Sequence, residues 1–242
     1  MGELHLDILI DRLFREHKIQ ANVGRPQVAY RETITSSVSA DFIFERMLAG
    51  KEKFAQIKIS IDPIHASEGV KFLTGLAPSK ETPQQWIKAC ENGLLEASEV
   101  GPIASYGMVG LKISLSSIAS RPQMTDEIVC KAAGALAFRE AIKKTDSVLL
   151  EPIFKLEVSC PDDFVGNIVG DLNSRRGKIL NMTAKPQGGQ LIIAEVPLAQ
   201  LFGYATDIRS LSQGRAFFSM EFFEYAAVPP KIRADVLQKL GR

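Results

Sequence analysis

Residues 165–177 read VGNIVGDLNSRRG, and taking this stretch as one helix and its exit decides the fold. Phe164, Ile168 and Leu172 recur every four residues, with Val165 and Val169 one step behind. That is the spacing of a single apolar helix face. Pro161-Asp162-Asp163 ahead of it suits a helix start, because proline needs no backbone partner there and acids favour the positive end. Asn173, Ser174, Arg175, Arg176 and Gly177 close the helix, with cations beside the carbonyl end and a glycine able to take positive φ.

Around this helix lies a repeated pattern. Residues 153–159 alternate apolar and polar side chains, as a half-buried strand does. Residues 178–185 form a second expected strand, 187–189 (QGG) a hairpin turn, and 191–196 a third strand. A second helix is expected with Leu198, Leu201, Phe202, Ala205, Ile208 and Leu211 on one side, ended by Gly214, and residues 216–225 are the last strand. The order β-α-β-β-α-β is the split βαβ, or ferredoxin-like, arrangement, with two helices on one sheet face and the other face open to a partner.

The chain has 242 residues, enough for one large or two ordinary domains. A 45% apolar and 24% charged composition is that of a globular protein, and a net charge of +1 gives no global field towards nucleic acid or membrane. Any RNA contact must therefore come from local patches. The three cysteines, Cys90, Cys130 and Cys160, are odd in number and far apart, which argues against a disulfide framework and for a reducing, cytoplasmic setting. No apolar run approaches the roughly 18 residues of a membrane span, and no signal peptide opens the chain.

The chain begins abruptly. Residues 2–17 place Leu6, Leu9, Ile10, Leu13 and Phe14 at helical spacing, and residues 18–23 suit a short strand. One helix and one strand cannot bury their apolar faces alone, so residues 1–24 are expected to be the tail of a truncated domain and the chain a fragment. Residues 28–34, 36–44 and 53–61 are expected strands, 83–99 a helix with Trp86, Cys90, Leu94 and Ala97 on one face, and 109–117 another strand. A helix over 125–144 carries Ala132, Ala133, Gly134, Ala135 and Ala137, small enough to approach its sheet closely. Together these make an α+β unit. A short linker near residues 146–151 would couple it to the last domain as a pair or a small hinge. After Val228-Pro229-Pro230, residues 231–240 suit a helix that buries Ile232, Val236 and Leu240.

Four blocks of this sequence resemble a known family: GELHLDILIDRLFREHKIQANVGRPQVAYRETI (2–34), AGALAFREAIKKTDSVLLEPIFKLEV (133–158), GDLNSRRG (170–177) and LFGYATDIRSLSQGRAFFSMEF (201–222). Each is similar to the C-terminal half of elongation factor G, a translational GTPase of ribosomal translocation, and the resemblance covers essentially the whole chain. It implies that residues 1–24 end the family's third, ferredoxin-like domain, and that 25–147 are its fourth domain, with a ribosomal-protein-like βαβ fold. Residues 148–242 would be the ferredoxin-like fifth domain with its C-terminal helix.

The chemistry of that family lies elsewhere. No G-x-x-x-x-G-K-[ST] loop occurs in this chain, and residues 75–82 (GLAPSKET) lack its second glycine and spacing, so they suit a surface loop. His5, His17 and His65 offer no metal-ligand spacing. The fragment is expected to be no enzyme and to hold no cofactor, with GTP and Mg belonging to the missing G domain of the parent.

The resemblance implies a mechanical and adhesive role. The far end of the fourth domain would reach the decoding region of the small subunit and hold transfer RNA and messenger RNA. Residues 47–53 (MLAGKEK) align with a loop that is glycine-rich in the family, and 119–125 (ASRPQMT) with a loop that carries a histidine. Here only Gly50 remains of the glycines, and Arg121 stands about where the histidine would be. Gly50, Lys51, Lys53, Arg121, Pro122 and Gln123 are the candidate contacts, the cations neutralising phosphates and releasing counterions. The alternative is that these are solvated loop charges. Stiff glycine turns let a backbone approach RNA closely, whereas Glu52 adds a negative charge. These departures point to a divergent paralogue, tuned for ribosome recycling or a reduced translocation role; a free-standing ribosome-binding module and an RNA adaptor unrelated to ribosomes are further alternatives.

In the last domain, Asn173, Arg175, Arg176, Arg209, Gln213 and Arg215 are candidates for the factor-binding region of the large subunit, unless the arginines only complement helix dipoles. Tyr204 suits contact or packing equally. Phe217, Phe218, Phe222 and Phe223 read as core packing, with RNA binding on the sheet surface as the alternative. The expected partner is the ribosome, through ribosomal RNA and the tRNA–mRNA pair, bound by a monomer with no membrane contact.

Overall fold

The computed structural model describes residues 11–18, 27–48, 50–186 and 188–239. Residues 11–17 are helical (α1) and exposed, Leu13 and Phe14 included. The strand expected at 18–23, like the first ten residues, falls almost wholly outside the described residues. In chain order there follow β1 (Arg31–Ile34), β2 (Val38–Leu48), β3 (Lys51–Pro63), β4 (Val70–Thr74), α2 (Gln84–Ser98), β5 (Leu111–Ala119) and α3 (Glu127–Ile142). Then come β6 (Ser147–Cys160), α4 (Val165–Ser174), β7 (Lys178–Ala184), β8 (Gln190–Pro197), α5 (Tyr204–Leu211), β9 (Phe217–Ala227) and α6 (Pro230–Lys239). The class is α+β, in two units: residues 30–150 with 225–242, and residues 151–224 with 1–29.

The first unit is a ribosomal-protein-like βαβ domain. Its four-stranded sheet runs in the order β2-β3-β5-β4, antiparallel except for the parallel pair β4 and β5. A parallel pair needs a crossover, and α2 supplies it. Ile57, Ile59 and Ile61 of β3 and Leu111, Ile113 and Leu115 of β5 alternate onto the face that α2 and α3 cover. The small residues of α3 do their closest work against α2 rather than the sheet. A Cβ on Gly134 would meet the Cys90 carbonyl oxygen at 2.7 Å, and one on Gly93 would collide with the Lys131 carbonyl. Strand β4 escapes sequence reading because its five residues bury little and the apolar Leu73 stands at an exposed position, which hides the alternation. Within β1, the fully buried Glu32 accepts backbone N–H bonds from Ile103 (2.7 Å), Ala104 (2.8 Å) and Tyr106 (3.1 Å), so its charge is satisfied and residues 103–106 are held. Helix α6 buries Val236 and half-buries Ile232 against a small cluster with Leu149 and Val228; Leu240 lies outside the described residues.

The second unit is ferredoxin-like. Its strands lie in the order β9-β6-β8-β7, with α4 and α5 burying Ile168, Leu172, Tyr204 and Ile208 against Leu156, Val158, Ile192, Ala194 and Val196. Two expectations need correction. Positive φ at the exit of α4 falls on Arg176 (φ 61) and not on Gly177, which is needed because a Cβ there would meet the Leu172 carbonyl oxygen at 2.6 Å. The second helix starts only at Tyr204, because Gly203 (φ 78) separates it from a 3-10 turn at Leu198–Gln200; Phe202 is thereby exposed and Tyr204 takes the core position. Asp162, in the 3-10 turn Asp162–Phe164 that leads into α4, also accepts from the Gly189 N–H (3.3 Å) and Gln190 Nε2 (3.1 Å), tying down the β7–β8 turn.

Candidate RNA-contact sites

The residues picked from the sequence fall into three places. In the first unit, β2 and β3 pair from Val38↔Ile61 to Leu48↔Lys51, and Gly50 lies between the strands at φ 75. What was expected as a loop over residues 47–53 is therefore the end of a tight hairpin, because such a turn needs positive φ and glycine supplies it. The segment before α3 lies against this hairpin, although some 70 residues separate them: Phe54 N–H donates to the Met124 carbonyl (3.0 Å), and Thr125 Oγ1 donates to the Phe54 carbonyl (2.6 Å). Ser120 Oγ donates to the Glu81 carbonyl (3.1 Å), adding residues 79–82 to the same end. The fold thus brings both expected loops together.

Their charges are not equivalent. Lys53 Nζ lies 2.6 Å from Asp126 Oδ2 with a side chain only 18% exposed. Asp126 is the N-cap of α3 and accepts from the Val129 N–H at 2.9 Å. The Lys53 hydrogen bond, helped by that backbone donor, holds the Asp126 carboxyl below the usual carboxylate range. Lys53 is thus a joint between hairpin and helix. Arg121 Nη1 donates to Glu45 Oε1 (2.8 Å), and its guanidinium carbon sits 3.8 Å above the centre of the Phe54 ring. Lys51 is exposed with no ion-pair partner among the described residues, and Pro122 and Gln123 (φ 61) face solvent beside Arg121. Sequence reading missed Glu45, Phe54, Thr125 and Asp126, whose roles arise only from contacts between distant segments.

The candidates of the second unit divide between its two ends. Arg175, which ends α4, donates to Asp171 Oδ2 (2.8 Å), the Gln200 carbonyl (2.7 Å) and Asp207 Oδ2 (2.5 Å). Burial alone would lower its pKa, but Asp171 and Asp207 outweigh that and raise it. Arg176 makes two bonds to the buried Glu151 carboxylate, at 3.1 and 2.5 Å. At the opposite end, Arg215 lies 4.5 Å from the centre of the Phe164 ring, which precedes α4. Since the end of α4 meets the start of α5 and the segment after α5 meets the start of α4, the helices are antiparallel. Asn173, Arg175 and Arg176 therefore sit away from Arg209, Gln213 and Arg215. Asn173, Arg209, Gln213 and Arg215 are exposed, whereas the adjacent arginines are largely committed to carboxylates.

The aromatic run on β9 also separates. Phe218 packs edge-on against Tyr204 (ring centres 5.1 Å apart) and belongs to the core. Phe217 is 74% exposed, and Phe222 and Phe223 are exposed too, which corrects the expectation that the run is core. Among the described residues no three His, Cys, Asp or Glu side chains gather as a metal site, and no helix is long and apolar enough to cross a membrane.

Comparison with known proteins agrees with this architecture. The family model for "Elongation factor G, domain IV" matches residues 26–146, and that for "Elongation factor G C-terminus" matches residues 148–236. Elongation factor G 1 of Bdellovibrio bacteriovorus is 61% identical over all 242 residues of this chain, which spans 34% of that relative's length. A crystal structure of a protein from Thermus thermophilus superposes with a TM-score of 0.87 at 28% identity, over 99% of this chain and 36% of the other. With one of these two family models matching half of the residues and the other most of the rest, the chain belongs to the elongation factor G family and carries its domain IV and C-terminal regions.

Proposed function

We propose that this chain is the ribosome-binding lever of an elongation factor G-like GTPase and acts in tRNA–mRNA translocation. In this reading residues 25–147 are the fourth domain, residues 148–242 the fifth, and residues 1–24 the end of a third. The hairpin end of the fourth domain meets RNA in the decoding region, and the exposed Asn173, Arg209, Gln213 and Arg215 of the fifth face the large subunit. GTP and Mg belong to a G domain outside these residues, and the chain works as a cytoplasmic monomer. The observation that carries the reading is the convergence of the Gly50 turn and residues 121–125 at one end, with Lys51, Pro122 and Gln123 turned to solvent.

Binding through phosphates has a measurable signature. Cosedimentation of the chain with ribosomes across a salt series tests it, since log K falls with log salt in proportion to the phosphates neutralised. Lys51→Ala is expected to reduce the salt slope by about 1. Absence of cosedimentation at moderate salt favours an RNA adaptor unrelated to ribosomes. A second reading, a paralogue specialised for ribosome recycling, is favoured by the acidic residues Glu45 and Glu52 at the hairpin, one of them compensating Arg121. It fails if the full-length protein, as the sole factor present, sustains normal polypeptide synthesis.

A further inference from the structure

Arg121 is built differently from the cations around it. Its guanidinium is seated over the Phe54 ring at 3.8 Å, and Phe54 itself is almost wholly buried. Its edge is fixed by Glu45 at 2.8 Å, and its backbone N–H donates to Thr125 Oγ1 (3.0 Å), the hydroxyl that bonds to the Phe54 carbonyl. The ring and the carboxylate thus hold a side chain that remains 49% exposed, on a backbone that Thr125 ties to Phe54. Glu45 also compensates its charge, which weakens it as a phosphate clamp. What remains on offer is the exposed side of a planar, delocalised cation whose other side lies over the Phe54 ring, and such a plane accepts a nucleobase.

We infer that Arg121, backed by Phe54 and held by Glu45, is a stacking platform for one unpaired RNA base. This rests on the reading of the hairpin end as an RNA contact and divides the labour there: Lys51 takes phosphate and Arg121 takes a base. Stacking is indifferent to base identity because every base has a π face, so the platform grips RNA without reading sequence. Lysine cannot replace arginine here, since an ammonium has charge but no plane.

The test is a fluorescence titration of a single-stranded adenine hexanucleotide carrying 2-aminopurine at its centre, with the 242-residue chain at low salt. Stacking on the platform quenches the probe. Arg121→Lys is expected to abolish the quench and weaken binding about fivefold or more, whereas Lys51→Ala weakens binding but leaves the quench at saturation. Glu45→Gln, which spares the stack on Phe54, is expected to quench like the unsubstituted chain, and matching thermal melts show that each variant is folded. If Arg121→Lys quenches as fully as the unsubstituted chain, or folded Glu45→Gln does not quench, the platform is wrong. A loss of affinity in Lys51→Ala then still leaves the RNA-contact reading standing. If the unsubstituted chain does not bind the oligonucleotide, or Lys51→Ala binds it unchanged, the reading and the platform fall together.

Discussion

The Arg176 guanidinium makes two hydrogen bonds to the Glu151 carboxylate, which is 1% exposed. Arg176 reaches it from a backbone at φ 61, outside the region most side chains prefer. A charge so buried is tolerable only when paired, and a strained backbone persists when its surroundings over-determine it. Glu151→Gln leaves the arginine facing a neutral amide and is expected to cost about 3 kcal/mol, by the general cost of breaking a buried pair. Replacing both residues by apolar ones (Arg176→Met with Glu151→Leu) is expected to recover most of it. Urea denaturation of the single and double variants measures both.

The Lys53–Asp126 joint predicts an acid response. Because the folded state lowers the Asp126 pKa, the stability it contributes is present above the unfolded carboxylate value of about 3.9 and is lost as pH falls through the folded value. Asp126→Ala removes the helix cap and the pair, and is expected to destabilise at neutral pH by about 0.5–2 kcal/mol. The difference between the two proteins should shrink as pH falls through that folded value. Denaturation midpoints across an acid pH series check this.

Tyr204 predicts the opposite limb. Its hydroxyl is buried with no hydrogen-bond partner among the described residues, and burial raises its pKa above the usual phenol value. A raised folded pKa means stability that is intact below the unfolded value of about 10 and is lost as pH climbs beyond it. Tyr204→Phe removes the unpaired hydroxyl, whose burial costs about 1–3 kcal/mol. The variant is expected to melt higher than the unsubstituted chain at neutral pH and to keep its stability above pH 10. Thermal melts across alkaline pH decide it.

Neighbouring phenylalanines on β9 should behave oppositely. Phe218→Ala removes the ring packed on Tyr204 and is expected to cost about 2–4 kcal/mol. Phe217→Ser, at a side chain 74% exposed, is expected to fall within about 0.5 kcal/mol of no change. Paired chemical denaturation curves separate the two.

Those neighbours also show what the sequence made legible. Apolar spacing placed Ile168, Leu172 and Ile208 in the core and laid out the β-α-β-β-α-β order, because period and turn residues are local properties. Alternation put Phe217 and Phe218 on opposite faces but did not tell which of them is covered, since a run of aromatics does not reveal which face of a strand a partner covers. It extended the second helix through Gly203 because the apolar pattern continues past the residue whose backbone breaks it. At the candidate site it picked Lys53, Arg175 and Arg176 as cations but not as joints. Their carboxylates are separated in sequence by as many as 73 residues, as Lys53 and Asp126 are, and only the folded chain joins them.

The most direct test of the central claim puts a cleavage reagent at the hairpin end. Gln123→Cys offers an exposed thiol, whereas Cys90, Cys130 and Cys160 are buried, and burial pushes the Cys90 and Cys130 thiols up to about 12. An iron chelate tethered there and bound to ribosomes carrying tRNA and mRNA is predicted to cleave RNA in the small-subunit decoding region. Cleavage confined to other RNA, or none from a chain that cosediments with the ribosomes, contradicts the account.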